Sequence, residues 1–256
     1  ASSPRAVPVS SVVSSGSGTV TNVNVTTVSI VCTTNTYTIG GSITGLTGTG
    51  LVLRNNGGND LTVLANATSF TFSTPIASGQ TYAVTVQTQP NTPTQTCVVI
   101  ANGSGTVGGG NVTNVGISCT TNSYSISGTV TGLAGAGLKL RNNNNPADEI
   151  TIPKTGPFGF TFSTPILSGQ TYAVTVQAQP SNLSQTCTVS SGSGTVGGAN
   201  VTNVAVNCVT NNFTVGGTVS GVNAGSGGLT LRLNGANDLI LAGNGPFTFP
   251  AIPDGS

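Results

Sequence analysis

An all-β chain of tandem immunoglobulin-like sandwiches, each of about seven strands, is the fold class predicted here. Three observations predict it. Short runs rich in Val, Ile, Thr and Tyr are broken by Gly, Asn and Pro turns. Within them apolar residues alternate with Thr, Ser or Gln, and no 3.6-residue apolar period competes. The sequence also repeats: TYTIGGSITGLTGTGLVLRNN from Thr36 returns as SYSISGTVTGLAGAGLKLRNN from Ser123 and as NFTVGGTVSGVNAGSGGLTLRLN from Asn212. Tyr37 to Tyr124 is 87 residues and Tyr124 to Phe213 is 89, which sets the period.

In the first unit the expected strands run in order through Tyr37-Thr38-Ile39 with Ser42-Ile43, then Leu51-Val52-Leu53 and Leu61-Thr62-Val63. They continue with Phe70-Thr71-Phe72, Tyr82-Ala83-Val84-Thr85-Val86 and Val112-Thr113-Asn114-Val115, in an antiparallel sandwich. Asn55-Asn56-Gly57-Gly58, which tolerates positive φ, reads as a tight turn. FTFSTPIASGQTYAVTVQTQP from Phe70 recurs as FTFSTPILSGQTYAVTVQAQP from Phe160, and the closing GSGTVGGGNVTNVGISC as GSGTVGGANVTNVAVNC. The expected organisation is two whole units, 33–119 and 120–208. Residues 1–32 form the closing part of a further unit and residues 209–256 an opening part.

The run GTVTGLAGAGLKLRNN, then FGFTF, then LSGQTYAVTV resembles the carboxypeptidase-regulatory-like, or transthyretin-like, family of sandwiches. The closing cysteine hairpin departs from that family's pattern. The whole unit is more similar to the tandem immunoglobulin-like repeats of large bacterial surface proteins. That resemblance implies a scaffold, stalk or fibre and carries no catalytic residue.

Composition excludes several functions. Lys+Arg 6 and Asp+Glu 5 make 4% of the chain charged, against about 25% in ordinary domains. Without a basic stripe, nucleic-acid and anionic-membrane binding lose their driving force. Histidine, the usual general base and a common metal ligand, is absent. A Ser-Lys hydrolase has nothing regular to use, since Lys139 and Lys154 fall in one unit. Trp, the usual sugar platform, is also absent, and Tyr82 and Tyr172 read as core. No apolar run approaches the roughly 20 residues of a membrane span. The chain begins with neither Met nor an apolar leader, so a signal peptide is expected to have been removed or to lie outside it. No catalytic residue, cofactor or metal is expected.

Five cysteines occur, none in zinc spacing. Cys97 to Cys119 is 22 residues and Cys187 to Cys208 is 21, a recurrence that selects two local disulfides and an oxidising compartment. Cys32 is left over because Ser11 holds its partner position; it reads as a buried orphan thiol or an intersubunit disulfide. Arg54 with Asp60, Arg141 with Asp148 and Arg232 with Asp238 flank the same turn in successive units and read as hairpin ion pairs. A calcium loop at Asn59 and Asp60 would need more carboxylates. Asp148 and Glu149 read as solvated charges at a hairpin end, since strand neighbours face opposite ways. Seven N-x-S/T sequons stand at Asn24, Asn66, Asn102, Asn111, Asn182, Asn200 and Asn212, a number this composition largely accounts for.

The ends carry the functional expectation. Aligned on the cysteines, Ala1 falls on Gln177 and Asp254 on Ser168, so the terminal parts are complementary and lack one strand, the equivalent of Thr171–Val176. Val20, Val23, Val25, Val28 and Ile30 imply that the segment after the polar start Ala1-Ser2-Ser3-Pro4 is ordered. Two readings follow. The N-terminal segment of one subunit completes the C-terminal half-domain of the next, generating a filament through contacts of those residues with Leu229, Leu231, Leu233, Phe247 and Phe249. Alternatively the chain is a window on a long repetitive adhesin or stalk. Both are extracellular, non-enzymatic roles; the expected partners are copies of the chain itself and, second, a surface or matrix receptor.

Overall fold

The computed structural model describes residues 7–153, 158–223 and 227–256. It is all-β apart from one 3-10 turn, Pro146–Asp148. Lys154 and the start Ala1–Pro4 lie outside the described residues. By compactness the chain divides into one unit built on residues up to Tyr124, with Leu167–Gln170 and Thr195–Ala199, and a second built on the remainder.

In the first sandwich one sheet has the order Gln95–Ala101, Val112–Thr121, Ile39–Thr44, Ser69–Thr71. The other has the order Ser104–Thr106, Thr81–Thr88, Val52–Asn55, Asn59–Thr62. Alternation decides which face is buried: along Thr81–Thr88, Tyr82 and Val84 point inward while Thr81, Ala83 and Thr85 are exposed. Ile39, Leu51, Leu53, Phe72, Val115 and Ile117 fill the space between the sheets. Phe70 and Phe72 meet edge to face, centroids 5.8 Å apart. Asn56 (φ 48°) and Gly57 (φ 72°) make the two positive-φ positions of the turn between Val52–Asn55 and Asn59–Thr62.

The sandwich is not purely antiparallel. Val112–Thr121 runs parallel to Ile39–Thr44, with Val115 opposite Gly41 and Ile117 opposite Ile43. Period-2 alternation is the same for either direction, so the pattern could not tell them apart. Gly41 permits the approach: a Cβ there would lie 1.8 Å from the Val115 carbonyl oxygen. Three further strands were not expected as separate elements: Ile76–Ala77, which pairs with Thr36–Tyr37, and two in the closing part of the unit. Gln95–Ala101 carries the first cysteine of the closing hairpin, and Ser104–Thr106, sequence Ser-Gly-Thr, has no apolar residue to mark it.

The second sandwich repeats this topology. Its sheets are Phe158–Thr161, Ile126–Thr131, Val201–Thr210, Gln185–Ser190, and Glu149–Thr151, Lys139–Asn142, Thr171–Ala178, Ser193–Thr195. Each sandwich is closed at one end by a buried glutamine. Gln95 Oε1 accepts from the Thr47 and Gly48 amides at 2.8 and 2.7 Å, and its Nε2 donates to the Gly45 carbonyl at 2.8 Å. Gln185 does the same with Ala134, Gly135 and Gly132, each at 2.8 Å.

The flanking segments form ribbons rather than sandwiches. Val9–Ser14 pairs with Ser29–Thr34 as a lone hairpin. Residues 209–256 give three two-stranded ladders beyond Thr210: Asn212–Phe213 with Ile252–Pro253, Gly216–Val219 with Gly245–Thr248, and Leu229–Leu233 with Ala236–Leu241.

Candidate functional site

Cross-strand register brings the cysteines together. Cys97 lies opposite Cys119 and Cys187 opposite Cys208, and both pairs are disulfides with Cα atoms 4.0 and 3.9 Å apart. In the N-terminal hairpin the equivalent pair is Ser11 opposite Cys32. Cys32 is free and exposed rather than buried, because the hairpin has no second sheet over it. Replacing Cys97 and Cys119 together by serine is expected to cost about 3 kcal/mol, the chain-entropy value for a loop of this size. A denaturant titration checks it; loss of under about 0.5 kcal/mol would mean that the bridge does not constrain the unfolded chain.

Two hairpins hold the ion pair named from sequence. Arg54 faces Asp60 across the ladder, with Nε to Oδ1 at 2.5 Å and Nη2 to Oδ2 at 2.7 Å. Arg232 faces Asp238 in the same forked geometry at 2.6 and 2.8 Å. The middle pair is different. Arg141 faces Glu149, with Nη2 to Oε2 at 2.5 Å, and Lys139 joins from the same strand at 2.9 Å. This hairpin is longer, and its 3-10 turn moves the register so that Glu149 takes the outward position. Asp148 points inward instead, buried, and accepts from Asn142, Ser163 and the Thr164 amide at 3.4, 3.3 and 3.3 Å. Neither acid is the solvated hairpin charge expected from sequence.

The forked hydrogen bonds from Arg54 and Arg232 hold Asp60 and Asp238 below the usual carboxylate range. Lys139, then Arg141, does so for Glu149. A depressed carboxylate adds stability above its unfolded value and loses it as pH falls through the folded one. With no histidine, no side chain of ordinary pKa titrates between roughly pH 5 and 8. The thermal midpoint is therefore expected to be flat across that window and to fall in acid below it. Glu149→Gln should flatten part of the acid limb; an unchanged limb would show that the pairs do not couple to folding.

The apolar residues of the terminal segments are the unusual feature. Aligned on the closing cysteines, Val20, Val28 and Ile30 correspond to Val107, Val115 and Ile117, each at most 1% exposed. In the hairpin they are 75%, 49% and 64% exposed. Val25 corresponds to Val112, and Val23 to Gly110. Both valines are exposed. Val12 and Val13 add to the bare surface. The C-terminal segment has the converse defect. Val215 and Leu229 are 43% and 37% exposed, where Ile39 and Leu51 are fully buried. Leu231, Leu233 and Phe247 are half-buried, and Phe249, edge to face with Phe247 at 5.9 Å, is buried. Among the described residues, Gly216–Val219 and Leu229–Leu233 each keep one edge without a ladder partner. Unpaired edges beside apolar side chains are the usual template for strand addition.

Sequence reasoning missed one recurring polar joint. The asparagine three residues after each closing cysteine position, Asn35, Asn122 or Asn211, accepts a hydrogen bond at its Oδ1 from a neighbouring hydroxyl and links two segments through its backbone. Ser10, Thr96 and Thr186 hydroxyls donate to the three Oδ1 atoms at 2.6, 2.8 and 2.8 Å. The asparagine amides donate to the carbonyls of Pro8, Thr94 and Ser184, and their carbonyls accept from the amides of Ser78, Ser168 and Asp254. The signal was available in Cys32-Thr-Thr-Asn35, Cys119-Thr-Thr-Asn122 and Cys208-Val-Thr-Asn211. The N-terminal hairpin thus makes the same joint as the two disulfide hairpins.

Among the described residues no group of three His, Cys, Asp or Glu side chains could hold a metal, and no helix is long and apolar enough to cross a membrane. All seven sequon asparagines are exposed. No protein-family model matches the chain, and no curated protein matches it. Among solved structures, the Bacillus anthracis TIE protein is similar at 13% identity over 87% of this chain and 46% of that one, TM-score 0.41. The chain thus spans about half that protein's length. The C-terminal fragment of the pilus adhesin SpaC from Lactobacillus rhamnosus GG is similar at 15% identity over 85% and 100% of the two chains, TM-score 0.30. The major pilin T-13 of Streptococcus pyogenes is similar at 14% identity over 69% and 97%, TM-score 0.24.

Proposed function

We propose that this protein is a non-enzymatic structural subunit of an extracellular bacterial filament, assembled head to tail, with the N-terminal segment of one copy completing the C-terminal half-domain of the next. The observation that carries this reading is the matched exposure of the two segments. Val20, Val28 and Ile30 stand bare where their equivalents are core, and Val215 and Leu229 stand bare where theirs are. Burying such a side chain stabilises by up to about 2 kcal/mol, so a few of them together favour association strongly. Two disulfides suit an oxidising, extracellular setting. In this reading the domains are 33–119 and 120–208, with 1–32 as donor and 209–256 as acceptor. Low surface charge suits dense packing of copies, since little charge is desolvated at each contact. The likeness of each unit to the carboxypeptidase-regulatory-like sandwich belongs to the same reading, and a surface or matrix receptor is the second partner class.

One observation favours the other reading, a stretch of a long repetitive adhesin or stalk. Among the described residues, no strand takes beside Leu229–Leu233 the place that Thr81–Thr88 holds beside Val52–Asn55. Negative-stain electron microscopy of native material, with intact mass under reducing and non-reducing conditions, separates the two. Filaments dissociating to a subunit near 25.1 kDa support the first. A far larger mass supports the second, and monodisperse monomers would overturn the filament.

A further inference from the structure

We infer that the acceptor takes one defined strand in one register: residues 25–31 of a second copy add parallel to the free edge of Gly216–Val219, with the Val28 carbonyl over Gly217. This rests on the head-to-tail reading and specifies its contact.

Gly217 is the first ground. Its backbone is not in the left-handed region, so conformation does not require glycine there. Within its own chain, an added Cβ would meet only the Phe247 ring, at 3.2 Å. The equivalent glycines have a clear reason to be glycine. A Cβ on Gly41 or Gly128 would lie 1.8 or 1.9 Å from the carbonyl oxygen of Val115 or Val204, in the strand running parallel beside it. Gly217 keeps the slot and lacks the strand. Val28 is the residue equivalent to Val115 and Val204.

The ladders fix the rest. Val112 lies opposite Ile39 and Ile117 opposite Ile43; Val201 lies opposite Ile126 and Val206 opposite Val130. Transposed, Val25 faces Val215, Ser29 faces Thr218 and Ile30 faces Val219, so that Val28 and Ile30 enter the core. Two independent gaps agree. Gly221 has nothing within 4 Å where Gly45 and Gly132 would press on the Cys119 and Cys208 carbonyls at 2.2 Å. The Gly79 and Gly169 amides donate to the Val107 and Val196 carbonyls, each at 2.8 Å, whereas among the described residues the Gly255 amide has no backbone acceptor. Val20 of the second copy occupies that place. Cys32 then takes the buried position of Cys119 and Cys208, so assembly shields its thiol.

The test uses two full-length variants. Gly217→Ala blocks the acceptor and leaves the donor; Val28→Asp blocks the donor and leaves the acceptor. At a concentration where the unaltered protein polymerises, each variant alone is expected to sediment as a monomer, and an equimolar mixture as a dimer that grows no further. In that mixture Cys32 of the Gly217→Ala chain should react with maleimide at least tenfold more slowly than Cys32 of the Val28→Asp chain, read by mass. Dimer formation also proves that both variants fold. A second measurement needs neither variant: in a Cys32→Ser background, Ser29→Cys with Thr218→Cys should oxidise to a disulfide-linked ladder, and Ser29→Cys with Thr214→Cys should not. Polymerisation of Gly217→Ala at the normal level, or equal ladders from both cysteine pairs, overturns the register and leaves head-to-tail assembly standing. A mixture that stays monomeric while the unaltered protein polymerises, with the Thr218 ladder absent, overturns it too. An unaltered protein that is monomeric at every concentration, its Cys32 always reactive, overturns both.

Discussion

Alanine at Gly41 or Gly128 is expected to unfold the sandwich that contains it. A methyl group at either position would lie under 2 Å from a backbone carbonyl of the adjacent parallel strand, at 1.8 Å and 1.9 Å. No rotamer relieves that contact, because both clashing atoms belong to backbone or Cβ. The strands must part, and the ladder between Ile39–Thr44 and Val112–Thr121, or between Ile126–Thr131 and Val201–Thr210, is lost with the core beneath it. A loss on the order of 4 kcal/mol or more follows, at the extreme of single-residue effects. Gly217→Ala, by contrast, should change the monomer's stability by under about 1 kcal/mol, since only the Phe247 ring has to shift. Denaturant titration of the three variants checks this; equal losses at all three positions would show that the slot at Gly217 is already filled in the monomer.

Leucine in place of Gln95 or Gln185 is expected to have the next largest effect. Each glutamine is at most 2% exposed and satisfies two loop amides and one carbonyl, with Thr121 or Thr210 as a fourth partner. An apolar residue of similar size leaves those amides buried and unpaired, at roughly 1–3 kcal/mol for each orphan. A destabilisation of about 3 kcal/mol is therefore expected, measured by thermal or denaturant unfolding. The position offers its own control. In the N-terminal hairpin the equivalent residue is Val9, half exposed, and Val9→Ala should leave the monomer unchanged within about 0.5 kcal/mol. A Gln95→Leu protein as stable as the parent would mean that water replaces the side chain.

The sequence carried the all-β class because alternation and turn chemistry are local properties, read residue by residue. Strand direction is not local, so the parallel pairing of Val112–Thr121 was invisible until Gly41 was seen against Val115. Ser104–Thr106 has no side chain that hydrophobicity can detect, yet it borders Thr81–Thr88 by backbone pairing alone. Repetition helped where spacing is constant, as at Arg54 and Arg232, and misled where it is not: the longer hairpin after Arg141 exchanged the roles of Asp148 and Glu149. The asparagine joint is legible as a fixed offset from each closing cysteine, but its meaning lies in hydrogen bonds to distant segments, which spacing alone does not show. Cys32 shows the limit most plainly. A residue buried in every complete unit is exposed here, because burial belongs to the second sheet and not to the residue.

Hydrogen exchange on assembled and monomeric protein tests the complementarity of the two segments most directly, since backbone pairing across a new edge is what it reads. On assembly, the amides of Gly216–Val219 and of residues 25–31 are expected to gain at least a hundredfold protection, while the outer strand Gln95–Ala101 exchanges as before. Polymers in which those two segments exchange as fast as in the monomer would contradict strand completion between copies.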